Sequence, residues 1–261
     1  MRMHSKVVMG LSLAATAFLA IPAQALPILP VQNLTFSTFS GSAPKNSFTS
    51  VAPANWTKTS GGNLVFIDAP GTATSGVGGY AVYGPFPNPP PGGNFVQADG
   101  NPDFESVFYQ TITGLTIGQH YELSFWQAAG QQTGFDGATT EQWIVSLGKS
   151  ILTDHVVGTT GSYSNPDAGA STVATHLMST PNHGVYNWEQ VTIDLVADDT
   201  TQILSFLAWG DGGSTINQPP TVFLAGVNSP SRLPEPMTLS LFSAGLAGLA
   251  LRRRAQKKTK A

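Results

Sequence analysis

The feature that most limits the fold of this 261-residue chain is an alternation of apolar and polar side chains with a period of two. Residues 121, 123 and 125 are apolar, as are residues 191, 193 and 195, and polar residues stand between them. Side chains of a β-strand point alternately to its two faces, so this pattern predicts strands at 121–128 and 189–196 with one buried face each. No convincing helical periodicity occurs between residues 26 and 230, and the pattern therefore predicts an all-β domain.

Shorter apolar segments predict the remaining strands. They lie at 34–36, 63–67, 95–98, 106–112, 142–147, 201–209 and 221–227. The segment 201–209 is apolar on both faces, which is typical of a central strand. Residues 69–94 are dense in glycine and proline and predict a long loop that carries Tyr80, Tyr83 and Phe86. About eight short strands separated by turns predict a single jelly-roll-like β-sandwich.

The first 25 residues have the organisation of a secretory signal peptide. Arg2 and Lys6 form a charged start, residues 7–21 are mostly apolar, and Ala23-Gln24-Ala25 has the small-x-small pattern of a cleavage site. We expect cleavage after Ala25, so that the mature domain occupies residues 26–230.

The last part of the chain, residues 231–261, has three parts in a fixed order. Pro234-Glu235-Pro236 precedes the apolar run 237–251, which Arg252-Arg253-Arg254 and further lysines follow. A helix needs about 20 apolar residues to cross a bilayer, and arginines at its end can extend a shorter span. The basic end is expected on the cytoplasmic side. A buried core helix next to a basic tail is the alternative, but such a helix gives no reason for the run of cations.

This order of motif, span and basic end resembles the PEP-CTERM sorting tail of bacterial exported proteins. The resemblance implies that an exosortase-type enzyme cleaves near Pro234–Pro236 and that the membrane contact through residues 237–251 is transient. It also implies a place at the cell surface, linked to exopolysaccharide or biofilm matrix. A retained membrane anchor is the rival interpretation.

Composition excludes several classes of function. The chain has no cysteine, which excludes thiol nucleophiles, thiolate metal sites and disulfides. Residues 26–230 contain three lysines against fourteen acidic residues, a net charge of −11 (3 minus 14). A surface so poor in cations does not neutralise phosphates, so we expect no nucleic-acid partner.

A second resemblance concerns the predicted sandwich. Residues 110–115 and 121–126, with Gly118 between them, are similar to a strand pair of galactose-binding-like, carbohydrate-binding jelly rolls. Trp188 before its strand and residues 203–206 and 223–227 extend the similarity. It implies a carbohydrate-binding fold. Many relatives carry an aspartate in the last strand that helps to hold calcium, whereas this chain has Leu224-Ala225-Gly226-Val227 there.

One acidic segment suggests a structural Ca²⁺ ion. Asp99, Asn101, Asp103 and Glu105 place oxygen atoms at alternate positions, and such oxygens suit a hard cation. The segment lacks the glycine and the final acid of an EF-hand, since Phe104 and Gln110 stand there. A polar turn closed by its own Asx side chains is the alternative.

Two tryptophans are candidates for a glycan site. Trp126 shares a strand face with Glu122 and Ser124, and Trp188 shares one with Gln190 and Thr192. Aromatic rings beside a few polar groups suit sugar rings and their hydroxyls. The alternative is that all five tryptophans pack in the core. Trp143 and Trp209 share faces with aliphatic residues and are predicted to be core, whereas Trp56 fits either role.

Nothing in the sequence favours catalysis. The five histidines are scattered, and neither an HExxH nor a G-x-S-x-G motif occurs. Folding could still pair two of Glu122, Glu141 and Glu189 as the carboxylates of a glycosidase. The sequence therefore favours a non-catalytic, exported surface or matrix protein, with a carbohydrate-binding module as the first alternative and a glycosidase as the second.

Overall fold

The structure, a computed structural model, describes residues 25–39, 53–59, 65–75, 80–101, 103–104, 107–153, 163, 165–211 and 218–228. Within these residues the chain forms eleven strands and no helix longer than a single turn. The strands are β1 (Thr57–Lys58), β2 (Val65–Asp68), β3 (Phe95–Asp99), β4 (Val107–Thr113), β5 (His120–Gln131), β6 (Thr139–Gly148), β7 (Ser171–Ala174), β8 (Met178–Thr180), β9 (Val185–Val196), β10 (Thr201–Gly210) and β11 (Pro220–Ala225). The prediction of an all-β domain is confirmed for the described residues.

The strands form two antiparallel sheets that pack face to face. The six-stranded sheet has the order β1-β4-β10-β6-β7, with β8 also paired to β6. The five-stranded sheet has the order β2-β3-β11-β5-β9. Antiparallel sheets that bury one face of each sheet against the other make a β-sandwich.

The core lies between the two sheets and contains the predicted inward faces. Leu123 and Phe125 of β5 and Ile193 and Leu195 of β9 belong to it. Phe206 of the central strand β10 meets the ring of Phe125 edge to face at 5.3 Å, which joins the two sheets. The alternation in the sequence therefore identified the buried faces of β5 and β9 correctly.

Trp143 ties the sheets together through a polar contact as well. Its ring is fully buried, and its indole NH donates a hydrogen bond of 3.1 Å to the backbone carbonyl of Phe223 on the opposite sheet. A buried donor needs an acceptor, and this bond supplies it across the layer. The prediction that Trp143 and Trp209 are buried is confirmed, and Trp56 is buried too.

The prediction of an opening strand at residues 34–36 is wrong. These residues form a turn in which Asn33 and Phe36 have positive φ angles of 52° and 50°. The side chain of Asn33 accepts hydrogen bonds from the backbone of Ser37 and Thr38. Asparagine tolerates this left-handed conformation and offers the backbone local partners, so the turn replaces the strand although Phe36 is fully buried.

The long segment between β2 and β3 covers the outer face of the five-stranded sheet. Phe86 from this segment packs on Phe95 and Phe223, with ring centroids 6.2 and 4.3 Å apart. Tyr80 is buried, and its hydroxyl lies 3.0 Å from that of Thr221. The described part of this segment is a loop, as predicted, and it forms a second small core outside the sandwich.

Candidate functional site

The first candidate surface lies on the outer face of the five-stranded sheet, where β5 and β9 pair at its edge. Trp126 stands opposite Gln190, Ser124 opposite Thr192 and Glu122 opposite Asp194. We call these six side chains the polar strip. Paired residues of an antiparallel sheet share a face, so the strip presents one aromatic ring beside a row of hydroxyl, amide and carboxylate groups.

Trp126 is half-buried rather than exposed. Its ring packs against the small outer core that contains Ala128, Phe223 and Ala225. In the described part of the chain no residue accepts a hydrogen bond from its indole NH. A ring that is fixed on one side and has a free donor suits stacking on a sugar ring together with one hydrogen bond to a hydroxyl.

Trp188 has a different role from the one predicted. Its indole NH donates to the carbonyl of Pro87 at 2.8 Å, and its ring meets Phe86, Phe95 and Phe223 edge to face at 5.8, 5.7 and 6.2 Å. Trp188 is therefore half-buried and committed to packing the loop onto the sheet. Trp188 shares the face of Trp126 and supports the polar strip, but its indole NH already donates to Pro87.

A β-bulge explains how β9 serves two surfaces. The register between β5 and β9 shifts between Gln127 and Ala129, where Asn187 and Trp188 together oppose the single residue Ala128. A bulge turns the following side chains to the other face. Trp188 keeps the outer face that it shares with Gln190, whereas Tyr186, two residues earlier, packs on the inner side against the main core.

A polar cluster occupies the inner side of the same edge. Glu189 accepts hydrogen bonds from Gln127 at 2.6 Å and from the Tyr186 hydroxyl at 3.0 Å, and it lies 3.2 Å from the ring nitrogen of His176. Partial burial acts to raise the pKa of Glu189, but the hydrogen bonds from Gln127, His176 and Tyr186 outweigh it and hold the pKa below its usual range. Sequence reasoning missed this cluster, although glutamine at the inward position 127 of an apolar strand was a signal for it.

The three carboxylates considered for a glycosidase lie on different surfaces. Glu122 belongs to the polar strip, and Glu189 faces the opposite side of the same sheet. Glu141 is fully buried in β6 and accepts hydrogen bonds from Thr139 and Thr180. Burial is the main cause that raises its pKa to about 8. The fold does not place two of these groups across a common cleft, as a glycosidase requires.

The predicted calcium segment forms successive Asx turns. The backbone NH of Asn101 donates to Asp99 Oδ1 at 2.7 Å, and the backbone NH of Asp103 donates to Asn101 Oδ1 at 3.0 Å. Asp99 Oδ2 and Asp103 Oδ1 are buried and have no hydrogen-bond partner among the described residues, so two oxygens of the right kind are available. Glu105 lies outside the described residues, and no three acidic or histidine side chains among the described ones form a metal-binding group. Calcium binding here stays a prediction.

The two ends of the chain lie outside the described residues. This applies to Ala23 of the predicted cleavage site, to Pro234-Glu235-Pro236, to the run 237–251 and to Arg252-Arg253-Arg254, whereas Ala25 is described. Among the residues that are described, no helix is long and apolar enough to cross a membrane. The signal peptide and the sorting tail therefore stay predictions from the sequence.

Comparisons with known proteins give weak similarities only. The sequence matches no protein-family model, and no curated protein resembles it at a significant level. Solved structures that resemble it include TmCBM61 in complex with β-1,4-galactotriose, with 12% identity over 67% of this chain and 86% of that chain and a TM-score of 0.36. The K3 cleaved adhesin domain of Lys-gingipain from Porphyromonas gingivalis shares 15% identity over 67% of this chain and 90% of that chain, with a TM-score of 0.37.

A larger protein also resembles the chain. The enzymatically active domain of bacteriophage CBA120 tailspike protein 4 shares 12% identity over 67% of this chain, with a TM-score of 0.34. The match spans only 19% of the tailspike chain. None of these similarities is strong enough to assign a ligand, so a functional proposal has to rest on the residues described above.

Proposed function

We propose that this chain is an exported, non-catalytic protein of the cell surface or extracellular matrix whose jelly-roll-like sandwich binds polysaccharide. The observation that carries the proposal is the polar strip, in which the half-buried ring of Trp126 has a free indole NH next to Gln190 and Ser124. The predicted signal peptide and PEP-CTERM-like tail support export and a surface location. An exosortase-type enzyme would then be the processing partner.

The chemistry of the strip suits a carbohydrate better than other ligands. A sugar ring offers an apolar face for Trp126 and hydroxyl groups for the hydroxyls of Ser124 and Thr192. The carboxylate of Glu122 accepts hydrogen bonds from hydroxyls and repels anions, whereas the carboxylate of Asp194 already lies 2.8 Å from a ring nitrogen of His120. The strip therefore favours a neutral polysaccharide over a sulfated or uronate-rich one.

Retention on a panel of immobilised neutral and acidic polysaccharides tests the proposal. Trp126→Ala should weaken retention by about tenfold or more, because one aromatic anchor in a binding surface commonly contributes more than about 1.4 kcal/mol. Tyr163→Ala is the matched control, since Tyr163 is a partly buried aromatic residue that packs on Trp209 outside the other sheet. Circular dichroism of both variants checks that they fold.

Two outcomes would refute this assignment. Equal retention of Trp126→Ala and the wild type would exclude the strip as the binding surface. Failure of the folded wild type to bind any polysaccharide of the panel would leave only the structural, matrix role. Trp188→Phe separates packing from binding, since Trp188 donates its NH to Pro87; this variant should lose stability and keep its affinity.

A further inference from the structure

A second surface of the molecule has the properties of a ligand site. At the β1–β4 edge of the six-stranded sheet lies an open groove of about 320 Å³. Its lining comprises Gln32, Asn55, Trp56, Thr57, Tyr109, Gln110 and Thr111. This volume falls at the lower end of the ~300–1,000 Å³ range of small-molecule sites.

The floor of the groove is fixed without a ligand. The ring of Trp56 stacks on Phe108 with centroids 4.7 Å apart and planes inclined by 4°, and its indole NH donates to the carbonyl of Gln32 at 3.1 Å. The side chain of Gln110 holds the backbone of Gln32 through two hydrogen bonds. Gln32 N donates to Gln110 Oε1 at 2.7 Å, and Gln110 Nε2 donates to the carbonyl of Gln32 at 3.1 Å. A site whose walls are already ordered loses little conformational entropy on binding.

The edge of β4 supplies unpaired backbone groups to this groove. Val107 exchanges hydrogen bonds with Thr59 on the β1 side. Because alternate residues of an antiparallel strand direct their NH and C=O to the same side, Thr111 also faces that edge. The pairing of β1 stops opposite Tyr109, so no described residue of the β1 side pairs with the NH and C=O of Thr111, which face the groove.

The remaining lining is neutral and rich in hydrogen-bonding groups. The side chains of Gln32, Asn55, Thr57 and Thr111 are exposed, and Tyr109 contributes a half-buried ring. None of the lining residues carries a charge. Amides, hydroxyls, an edge backbone and one ring complement a neutral, hydroxyl-rich ligand, whereas a phosphate or carboxylate would find no counter-charge.

We infer that this groove is a second saccharide-binding site, for a neutral unit of about the size of a disaccharide. The polar strip lies at the β9 edge of the five-stranded sheet, and β9 packs against β7 and β8. The groove lies at the other end of the six-stranded sheet, beyond β10 and β4. The strip and the groove therefore lie on different sheets of the sandwich, and the N-terminal segment connects them, since Leu29 N donates to the Glu122 carbonyl at 2.9 Å and Gln32 of the groove follows three residues later.

Two outward-facing sites would let one molecule bridge two polysaccharide chains. The inference rests on the proposed function and extends it from binding to cross-linking. Bivalent attachment can strengthen retention on a polymer by about 10²–10⁴ over a single site. Loss of either site should therefore abolish bridging, while the other site still binds free oligosaccharide.

Calorimetric titration of the mature chain with the trisaccharides cellotriose, xylotriose and galactotriose tests the inference. The wild type should bind two molecules of the same trisaccharide. Thr57→Lys, which places a cation at the neutral groove, and Tyr109→Leu, which removes its ring, should each bind one, as should Trp126→Ala. Turbidity of mixtures with the parent polysaccharide, which reports bridging, should be lost in every one of these variants.

The results separate the two claims. The wild type could bind at one site only. If Trp126→Ala removes this site and both groove variants keep it, the groove inference is overturned and the proposed function stands. One site that only the groove variants remove would place binding in the groove and refute the strip. No binding by the folded wild type would refute both. Thermal unfolding of each variant identifies any that fails to fold, and Thr57→Val then serves as a milder groove variant.

Discussion

Asp68 is the residue whose replacement should most clearly change how stability depends on pH. It ends β2 on the outer face of the five-stranded sheet, opposite Phe95, and is fully buried. Within the described part of the chain, neither of its carboxylate oxygens has a hydrogen-bond partner. Burial without a partner disfavours the charged form and raises the pKa of Asp68 from 3.8 to about 7.

The raised pKa fixes the sign and size of the effect. Below pH ~4 the carboxyl is protonated in both states, so it adds no pH dependence. Between pH ~4 and ~7 the unfolded chain releases the proton and the folded chain keeps it, so stability falls as pH rises and levels off above ~7. At about 1.4 kcal/mol per pKa unit, the rise corresponds to a loss of about 4 kcal/mol across this window.

Asp68→Asn removes the titrating group and keeps the shape. Denaturant unfolding at several pH values from about 4 to 8 should show the variant gaining about 4 kcal/mol on the wild type between the two ends. At the acid end the variant should equal the wild type or fall about 1–3 kcal/mol below it, because the new amide NH groups also need acceptors. Glu122→Gln is the control, since no hydrogen bond or ion pair of the Glu122 carboxylate occurs among the described residues.

The pH profiles decide the matter. Asp99 and Glu141 also have pKa values raised mainly by burial, to about 7 and about 8. Because the wild type and the variants all keep these two residues, they share the contribution that Asp99 and Glu141 make to the pH dependence of stability. Only the difference between wild type and Asp68→Asn reports on Asp68. Parallel profiles would show that Asp68 is charged and compensated in the folded chain, and would refute the reasoning.

Three further perturbations have expected outcomes. Trp143→Phe should lower the free energy of unfolding by about 2–4 kcal/mol, since it leaves a small void and removes the hydrogen bond that the indole NH donates to the carbonyl of Phe223. A loss below about 1 kcal/mol would contradict this inter-sheet role. Gly100→Ala should lower the free energy of unfolding, measured by denaturant unfolding, by about 1–3 kcal/mol, because its Cβ would lie 2.8 Å from the backbone nitrogen of Gly210. An unchanged denaturation midpoint would contradict this expectation and show that the chain around Gly100 and Gly210 separates easily. If Asp99 helps to hold Ca²⁺, calcium should raise the melting temperature of the wild type and not of Asp99→Asn, and a wild type that does not respond to calcium or chelator would exclude the site.

Local alternation predicted the inner layers of the fold well. Strands β5 and β9 and the central position of β10 follow from side-chain periodicity, because the burial of one face or both faces sets the pattern residue by residue. The strand ends differed from prediction by a few residues, and β9 begins four residues earlier than expected. The bulge at Asn187 and Trp188 accounts for this, since it interrupts the alternation within a continuous strand.

Long-range contacts decided the remaining features. The sequence placed Trp126 and Trp188 on the same face, but the hydrogen bond from Trp188 to Pro87 joins residues 101 positions apart and has no local signature. The groove likewise combines residues near positions 32, 56 and 110 that no motif connects. The burial of Asp68 follows from the loop after it, which covers the outer face of the sheet. Loop packing of this kind depends on the assembled sandwich and not on any segment alone.

The most direct test of the proposed function is the NMR spectrum of the tryptophan indole NH groups during titration with an oligosaccharide of the bound polysaccharide. Trp143 and Trp188 donate to Phe223 and Pro87. The indole NH of Trp126 has no acceptor among the described residues. The proposal predicts a saturable shift of the Trp126 signal, assigned by its loss in Trp126→Phe, with those of Trp143 and Trp188 nearly unchanged. Saturable binding that leaves the Trp126 signal unmoved would contradict the assignment of the polar strip as the polysaccharide-binding surface.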